Sequence, residues 1–257
     1  MLTPPEIARS LLAAGESKAR LPFGKMLLLA ILAGAYIALA GVGATAAAVT
    51  VESGSLAKLL SACVFPAGLS MVILAGSELF TGNCLMVMAL LERRITPAQL
   101  LRNWLTVYLG NAMGGAAVAA LAVYSHTASL FGDGLARSMV SIAESKAALG
   151  AGDAFLRGVL CNFLVCLAVW MAAASKRAEG KVIALFFPIL LFVLCGYEHC
   201  IANLYYLPAG AFAAAEYGME TTLTLAGCLE NLAAVTLGNL VGGAALGVGY
   251  RFAYLKE

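Results

Sequence analysis

Two ionisable residues stand side by side in a stretch that is otherwise apolar. Glu198 and His199, in GYEHCIANLYYLP, are the only interruptions of the run from Val182 to Ala215. Imidazole is the side chain whose ordinary pKa, about 6.5, allows it to share a proton near neutral pH. An ionisable residue inside a membrane-length apolar run is by default a functional candidate. The first hypothesis is therefore proton sharing by His199.

A second acid, Glu78, interrupts the apolar run from Leu59 to Leu91 in the same way. The two runs share the pattern G-x-E-x-x-x-x-N, as Gly76–Asn83 and Gly196–Asn203. Loops at membrane depth contain many backbone N–H groups that need partners. We expect Glu78 and Glu198 to brace these loops by accepting backbone N–H bonds.

The composition places these residues in a membrane protein. Apolar residues make up 62% of the 257-residue chain and charged residues 12%, against about 45–50% and about 25% in soluble domains. The seven cysteines have no CxxC or CxxH spacing, so we expect packing residues and neither disulfides nor a metal site. The segment from Met1 to Lys25 lacks an apolar core, and we expect no signal peptide there.

The lengths of the apolar segments predict six spans. A spanning helix needs about 20 residues, and four uncharged segments qualify: Met26–Val51, Asn103–Ser125, Gly158–Ser175 and Asn231–Tyr250. The two longer runs would each extend about 50 Å as straight helices, against about 30 Å of hydrocarbon. We expect each to be one span that is broken near its middle into two half-helices and a loop.

The distribution of cations predicts the orientation. Of the 16 Lys and Arg residues, twelve would lie in inner segments if both termini are cytoplasmic, and four would lie outside: Lys58, Arg137, Lys146 and Arg157. This bias follows the positive-inside rule. Thr3-Pro-Pro-Glu6 is a capping box, which predicts an N-terminal helix on the inner membrane surface within residues 1–22.

The chain contains a repeat in which the first and third spans of one half align with those of the other at an offset of 128 residues. The sequence NWLTVYLGNAMGGAA (103–117) aligns with NLAAVTLGNLVGGAA (231–245), and LAGAYIALA (32–40) aligns with LCNFLVCLA (160–168). A repeated unit of three spans inserts its second copy upside down. The sequence therefore predicts one channel domain over residues 1–257, built from an inverted 3+3 repeat.

The repeat also predicts how the domain is divided. The first three-span repeat is assigned to residues 23–125, an outer loop to 126–152 and the second repeat to 153–257. The two broken helices, the second and the fifth, should meet near the midplane with their loops facing a pathway. Three GxxxG motifs predict close helix packing: Gly110–Gly114, Gly238–Gly242 and Gly243–Gly247.

Four segments in order, GSELFTGN, CNFLVCLAVWM, GYEHCIAN and NLAAVTLGNLVGG, resemble the formate/nitrite transporter family, which includes formate, nitrite and hydrosulfide channels. The resemblance extends from about Pro22 to Tyr254. It implies a homopentamer in a prokaryotic cytoplasmic (inner) membrane, with an aquaporin-like pore in each protomer. It also implies passage of small monovalent anions of weak acids together with protons, without a cofactor.

The resemblance assigns individual pore positions. The family's central histidine corresponds to His199, the threonine facing it to Thr81, and the lysine of its periplasmic vestibule to Lys146. Its apolar constrictions and its pore-facing asparagines correspond to Phe65, Leu69, Leu79 and Phe192, and to Asn162 and Asn203, respectively.

These positions suggest a mechanism. A bare anion stalls at an apolar constriction, whereas a neutral weak acid crosses far more easily. We expect Lys146 and the positive ends of the half-helices to attract the anion. His199 would then donate or share a proton, and Thr81 would orient the substrate.

Other function classes stay open at this point. Formate is the first choice of substrate, followed by nitrite and hydrosulfide. A pore for neutral solutes fits the inverted repeat, although both loops lack the aquaporin Asn-Pro-Ala signature. An intramembrane enzyme using His199 with Cys200 or Glu198 lacks a complete catalytic set, and no enzyme is expected. The physiological anion, the direction of flow, channel against proton-coupled carrier, and gating by the N-terminal helix also stay open.

Overall fold

The computed structural model describes residues 1–255, and every regular element in this range is a helix. Lys256, one of the twelve inner cations, lies outside the described residues. In chain order the helices are α1 (Pro4–Ala19), α2 (Phe23–Ala48), α3 (Gly54–Val64), α4 (Pro66–Ala75), α5 (Phe80–Asn83), α6 (Val87–Leu91), α7 (Pro97–Tyr124), α8 (Gly134–Ala147), α9 (Ala151–Ala173), α10 (Ala178–Leu194), α11 (Cys200–Glu216) and α12 (Leu225–Tyr254), and short 3-10 turns occupy Cys84–Met86 and Thr127–Ser129.

The prediction of an all-α membrane protein with six spans is confirmed. Helices α2, α7, α9 and α12 are each long and apolar enough to cross a membrane, as is the stretch Gly54–Ala75 formed by α3 and α4. After a loop, this second span continues into the shorter apolar stretch Phe80–Leu91. The fifth span consists of α10 and α11 on either side of another loop. The second and fifth spans are therefore the broken ones, as their lengths predict.

Both breaks contain a glycine in the left-handed conformation. The φ angle is 78° at Gly76, which ends α4, and 69° at Gly196, which follows α10. Glycine adopts this conformation without the steric cost that a Cβ brings, and it commonly ends helices. Each glycine therefore lets the chain leave a helix and turn into a loop at membrane depth.

The break in the second span is off centre, which differs from the expectation. The fifth span has two arms of 17 residues, but 22 residues precede the break in the second span. Helix α3 begins at Gly54 because the Ser53 side chain accepts a hydrogen bond from the Leu56 N–H and caps the helix. The helix therefore begins before Leu59, the first residue of the apolar run, and its first turns include Lys58.

A helix occupies much of the segment 126–152, so its assignment as a loop is wrong. One face of α8 is buried, at Leu135, Ala136, Met139, Val140 and Ala143, and this spacing is that of an amphipathic helix. The sequence Glu-Ser-Lys-Ala occurs at 144–147 in α8 and at 16–19 in α1, which is again the offset of the repeat. Helices α1 and α8 are therefore corresponding elements, and each belongs to a repeat.

Helix α1 is packed against the body of the protein. The Thr3 N–H donates to the Glu6 carboxylate over 2.7 Å, so the predicted capping box is present. Ile7 and Ala19 are buried, and Gly15 lies against Ala89 of α6. This packing brings the end of α1 to the loop of the second span.

The close packing that the GxxxG motifs predict is confirmed. A Cβ added to Gly114 of α7 would collide with the backbone oxygen of Ile31 in α2, and one added to Gly242 of α12 would collide with that of Val159 in α9. Gly114 and Gly242 are equivalent positions of the repeat, and so are Ile31 and Val159. Two tightly packed helix pairs, related by the repeat, therefore support the two loops.

Candidate functional site

Each loop is held by one buried asparagine from a neighbouring span. The Asn111 side chain of α7 accepts a hydrogen bond from the Phe80 N–H (3.0 Å) and donates to the backbone oxygens of Ala30 (2.7 Å) and Glu78 (2.9 Å). A buried amide can thus satisfy backbone groups that water cannot reach. The loop of the second span is therefore anchored to α2 and α7.

Asn239 of α12 makes the corresponding bonds in the other half. It accepts from the Cys200 N–H (2.9 Å) and donates to the backbone oxygens of Gly158 (2.8 Å) and Glu198 (2.9 Å). Sequence reasoning assigned no role to Asn111 or Asn239. The signal was present, because both stand in the repeated tripeptide Leu-Gly-Asn within apolar spans.

The two loop carboxylates have side-chain partners, which corrects the expectation that they accept backbone N–H bonds. Glu78 accepts from the Lys18 ammonium (2.7 Å) and from the Asn83 amide (2.7 Å). Its own loop's N–H groups are satisfied elsewhere: the Glu78 N–H donates to the oxygen of Leu29 (3.2 Å). Because the asparagines hold the backbone, the acids are free to pair with cations.

Glu198 repeats this arrangement. Its two oxygens accept from the Lys146 ammonium at 3.0 and 2.9 Å, and one of them also accepts from the Asn203 amide (2.7 Å). Both carboxylates are nearly buried: the side chain of Glu78 is 8% exposed and that of Glu198 is 9% exposed. The sequence analysis places Lys18 only among the inner cations. The shared Glu-Ser-Lys-Ala nevertheless marks it as the counterpart of Lys146 in the repeat.

Neighbouring bonds hold the helix that carries Lys146. The Glu144 carboxylate accepts from the Thr222 N–H (2.7 Å) and from the Thr221 hydroxyl (2.9 Å). These hydrogen bonds hold the pKa of Glu144 below its usual range, because they favour the charged form. The end of α8 is thus tied to the segment before α12.

His199 and Thr81 meet between the two halves. Both are buried, and the Thr81 hydroxyl lies 3.0 Å from Nε2 of His199. His199 is also the N-cap of α11, where its Nδ1 accepts the Ala202 N–H at 3.0 Å. An acceptor Nδ1 carries no proton, so this hydrogen-bond network places the imidazole proton on Nε2. The ring is therefore a neutral donor that points toward Thr81.

Three neighbouring spaces lie inside the protein, and a small central one shares lining residues with each of the other two. The Lys18 vestibule has a volume of about 360 Å³ and is lined by Lys18, Glu78, Leu69 and Leu79 among others. The Lys146 vestibule has about 260 Å³, and its lining includes Lys146 and Glu198. The central space between them has about 10 Å³, which is roughly the room for one water molecule.

Apolar side chains separate the central space from each vestibule. Leu69 and Leu79 line both the central space and the Lys18 vestibule, whereas Phe65 and Phe192 line both the central space and the Lys146 vestibule. His199 also lines the central space, and its ring stacks on Phe192 with 5.7 Å between centroids. The central space therefore has one polar lining residue, His199, between two sets of apolar side chains, and Thr81 bonds to this histidine without lining the space itself.

Asn162 and Asn203 are fully buried and lie behind the path. The Asn162 amide donates to the backbone oxygens of Thr81 (3.2 Å) and Asn239 (2.7 Å). The Asn203 amide donates to Glu198 and to the Asn231 side chain (2.8 Å). Neither lines the three spaces described above, which differs from the expectation that they face the pore. Asn203 holds Glu198, which lines the Lys146 vestibule, whereas Asn162 holds the backbone of Thr81, the partner of His199.

Comparison with known proteins gives the same family throughout. The family model described as formate/nitrite transporter matches residues 5–253. A probable formate transporter of Methanothermobacter thermautotrophicus is 38% identical, over 99% of this chain and 98% of its own length. The formate channel FocA of Haemophilus influenzae is 38% identical, over 86% of this chain and 84% of its own length.

Solved structures agree with the sequence relatives. An FNT family ion channel superposes with a TM-score of 0.86 at 32% identity, covering 96% of this chain and 98% of that one. A structure described as a pentameric formate channel with formate bound gives a TM-score of 0.80 at 33% identity, covering 91% and 98%. With the broken spans, the paired loops and the buried His199 in place, we conclude that this chain is a multi-pass membrane protein of the formate/nitrite transporter family.

Proposed function

We propose that this protein conducts formate and related small monovalent anions of weak acids, and that His199 shares a proton with the anion at the centre of the path. The observation that carries the proposal is the position of His199 in the central space between two apolar constrictions, with its Nε2 3.0 Å from the Thr81 hydroxyl. The printed names of its relatives support formate as the substrate class.

The constrictions make a proton necessary. An anion that leaves a water-filled vestibule loses hydration, and a bare charge in an apolar passage is costly. The central space of about 10 Å³ is also too small for an ion with its water shell. An anion that accepts a strong hydrogen bond from the Nε2 N–H passes Leu69 and Leu79 or Phe65 and Phe192 with its charge partly neutralised. If the anion takes up this proton and leaves as the neutral acid, a proton from vestibule water must return to Nε2, because the ring would otherwise be left as imidazolate.

The hydrogen bonds of His199 favour a neutral ring that shares its proton over a permanently protonated imidazolium. At present Nδ1 accepts a buried hydrogen bond from the Ala202 N–H over 3.0 Å, and protonation of Nδ1 would break it. The neutral ring can instead donate from Nε2 to Thr81 or to the anion in its place. Thr81 then orients the anion or the ring through its hydroxyl group.

The assembly and location belong to the same proposal. We place the protein as a homopentamer in a prokaryotic cytoplasmic membrane, with the Lys18 vestibule facing the cytoplasm. The positive-inside bias of the cations supports this orientation, and the structural relative described as a pentamer supports the assembly. Nitrite and hydrosulfide are the competing substrates within the same family.

Fluxes in proteoliposomes test the proposal. Formate, nitrite, hydrosulfide and glycerol are compared over an external range of about pH 5 to 8, where imidazole titrates, with internal pH recorded. We expect formate flux to carry protons and to rise as external pH falls. His199→Asn should lose most of the flux and the coupling, whereas the exposed second histidine offers a matched control, His126→Asn, that should change neither.

Each outcome has a separate meaning. Formate flux that keeps its proton coupling and pH response in His199→Asn would show that the histidine mechanism is wrong, although the anion channel would remain. Faster flux of nitrite or hydrosulfide than of formate would reassign the substrate. Glycerol flux without anion flux would identify a neutral-solute pore and contradict the proposal as a whole.

A further inference from the structure

The two vestibules differ in charge although the repeat relates them. The charged side chains that line the Lys18 vestibule are Lys18 and Glu78, which pair with each other. The Lys146 vestibule is lined by the corresponding pair and by two more cations, Lys58 and Arg157. Three cations and one carboxylate leave this vestibule with a surplus of two positive charges, whereas the other vestibule is balanced.

The surplus resides on Lys58 and Arg157. Both Lys146 contacts to Glu198 are short, at 3.0 and 2.9 Å, so the field of that lysine is largely neutralised by its partner. Within residues 1–255, neither Lys58 nor Arg157 forms an ion pair. Lys58 and Arg157 line the same space as the Lys146–Glu198 ion pair, so the cations act on the same volume.

The fold does not require an arginine at position 157. The backbone oxygen of Arg157 accepts the Glu198 N–H at 3.3 Å, and the backbone oxygen of Leu29 accepts the Glu78 N–H at 3.2 Å in the other repeat. Leu29 and Arg157 are thus equivalent in the repeat, and their backbone oxygens accept the same hydrogen bond from the loop. Only the side chain differs, and the charged one faces the vestibule.

We propose that Lys58 and Arg157 form an anion subsite at the Lys146 vestibule, where small anions are held before they reach His199. The proposal rests on the proposed function, because a holding site serves only a protein that conducts anions. Two side chains that end in separate positive groups, without a fixed oxyanion cradle, select by charge and small size. They therefore take small anions in general and hold divalent sulfate more strongly than monovalent chloride, because the Coulomb attraction doubles with the charge. Sulfate also does not become neutral by accepting one shared proton.

Sulfate is the probe that separates holding from passage. Formate uptake is measured in vesicles with sulfate exchanged for chloride at constant ionic strength, on one face at a time. A protease-cleavable N-terminal tag reports the orientation, since α1 lies on the Lys18 side. In the wild type we expect sulfate to inhibit from the Lys146 face and to have little effect from the other face.

Neutralising the two cations tests the assignment. In Lys58→Gln/Arg157→Gln we expect the inhibitory sulfate concentration on the Lys146 face to rise at least roughly fivefold, the change that one unit charge near another makes in water. Formate uptake by the double variant should also lose most of its dependence on ionic strength. Arg137→Gln, an exposed cation on the same side that does not line this vestibule, should inhibit like the wild type.

The contrary results are distinct. Any of three results would overturn the subsite while formate conduction stands. Sulfate could fail to inhibit the wild type, or it could inhibit the double variant as strongly as the wild type. The third result is that Arg137→Gln weakens sulfate inhibition as much as the double variant does. Absence of formate flux in the wild type would overturn the proposed function, and the subsite with it.

Discussion

At the residue scale, the adjacent Glu198 and His199 have unrelated partners. Glu198 pairs with Lys146, and His199 bonds to Thr81 and to the start of α11. The acid is therefore committed to a cation and is not the group that tunes the imidazole by direct contact. The imidazole is neutral because its Nδ1 accepts the Ala202 N–H, and its Nε2 is left to bond to Thr81.

Replacing the threonine tests the polar pair at this scale. Thr81→Val keeps the side-chain shape and removes the hydroxyl 3.0 Å from Nε2, and we expect formate flux to fall by up to about tenfold, the equivalent of one hydrogen bond. Stopped-flow uptake in proteoliposomes measures it. Ser70→Ala, which removes a hydroxyl bonded within α4, is the control. Unchanged flux in Thr81→Val would contradict a role in orientation.

The two ion pairs should differ in their contribution to stability. Lys146 is 15% exposed and Lys18 is 29% exposed, so an unpaired Lys146 is harder to hydrate. We expect Glu198→Gln to lower the free energy of unfolding by up to about 3–5 kcal/mol and Glu78→Gln to lower it less. Thermal unfolding in detergent compares them.

A double variant completes that comparison. Lys146→Met/Glu198→Gln removes both charges of this pair, and it should be more stable than Glu198→Gln alone. The argument from burial is wrong if the two single variants unfold at the same temperature or if the double variant is the least stable.

At the element scale, the repeat is visible in contacts between equivalent positions. The Tyr108 and Thr236 hydroxyls lie 3.1 Å apart, and the two residues are counterparts in the repeat. A residue that touches its own counterpart lies near the axis relating the repeats. The helix pairs around this axis position the loops, so their packing should control stability.

Glycine substitutions in one helix test this packing. The Cβ in Gly242→Ala would collide with the backbone of α9, whereas the Cβ in Gly249→Ala meets nothing within 4 Å. We expect Gly242→Ala to reduce stability by about 1–3 kcal/mol and Gly249→Ala to raise it slightly, by about 0.5–1 kcal/mol. Unfolding of the purified protein in detergent measures both. Similar losses at the two sites would point to backbone effects and contradict the packing argument.

At the scale of the whole molecule, apolar side chains cover the outside. Large exposed ones occur on α2, α7, α9, α10 and α12, for example Leu109 at 61%, Phe187 at 60% and Leu237 at 58%. Such surfaces are covered by lipid or by other protomers. Within the described residues, this one chain lines both vestibules and the central space.

Native mass spectrometry from gentle detergent tests the assembly. We expect a species of five chains of 26.5 kDa each and formate flux from the same preparation. Because each chain contains its own path, assembly is expected to support stability more than pore formation. A monomeric mass under conditions that preserve flux would contradict the pentamer.

The sequence alone determined the membrane class, the six spans, the two broken helices and the inverted repeat. Each of these follows from apolar length or from residue identity between aligned segments, which can be read along the chain. It also identified Glu78, Glu198 and His199, because a charge in an apolar run is conspicuous. It missed α8 as a helix, although the spacing of Leu135 and Met139 contained the signal.

Only the tertiary structure decided how these residues act together. The partners of Glu78 and Glu198, the anchoring by Asn111 and Asn239 and the burial of Asn162 depend on which helices lie side by side. The hydrogen-bonded Thr81 and His199 belong to different repeats and lie far apart in the chain. No pattern within one span determines such a pairing, because it is set by the packing of two repeats around a common axis.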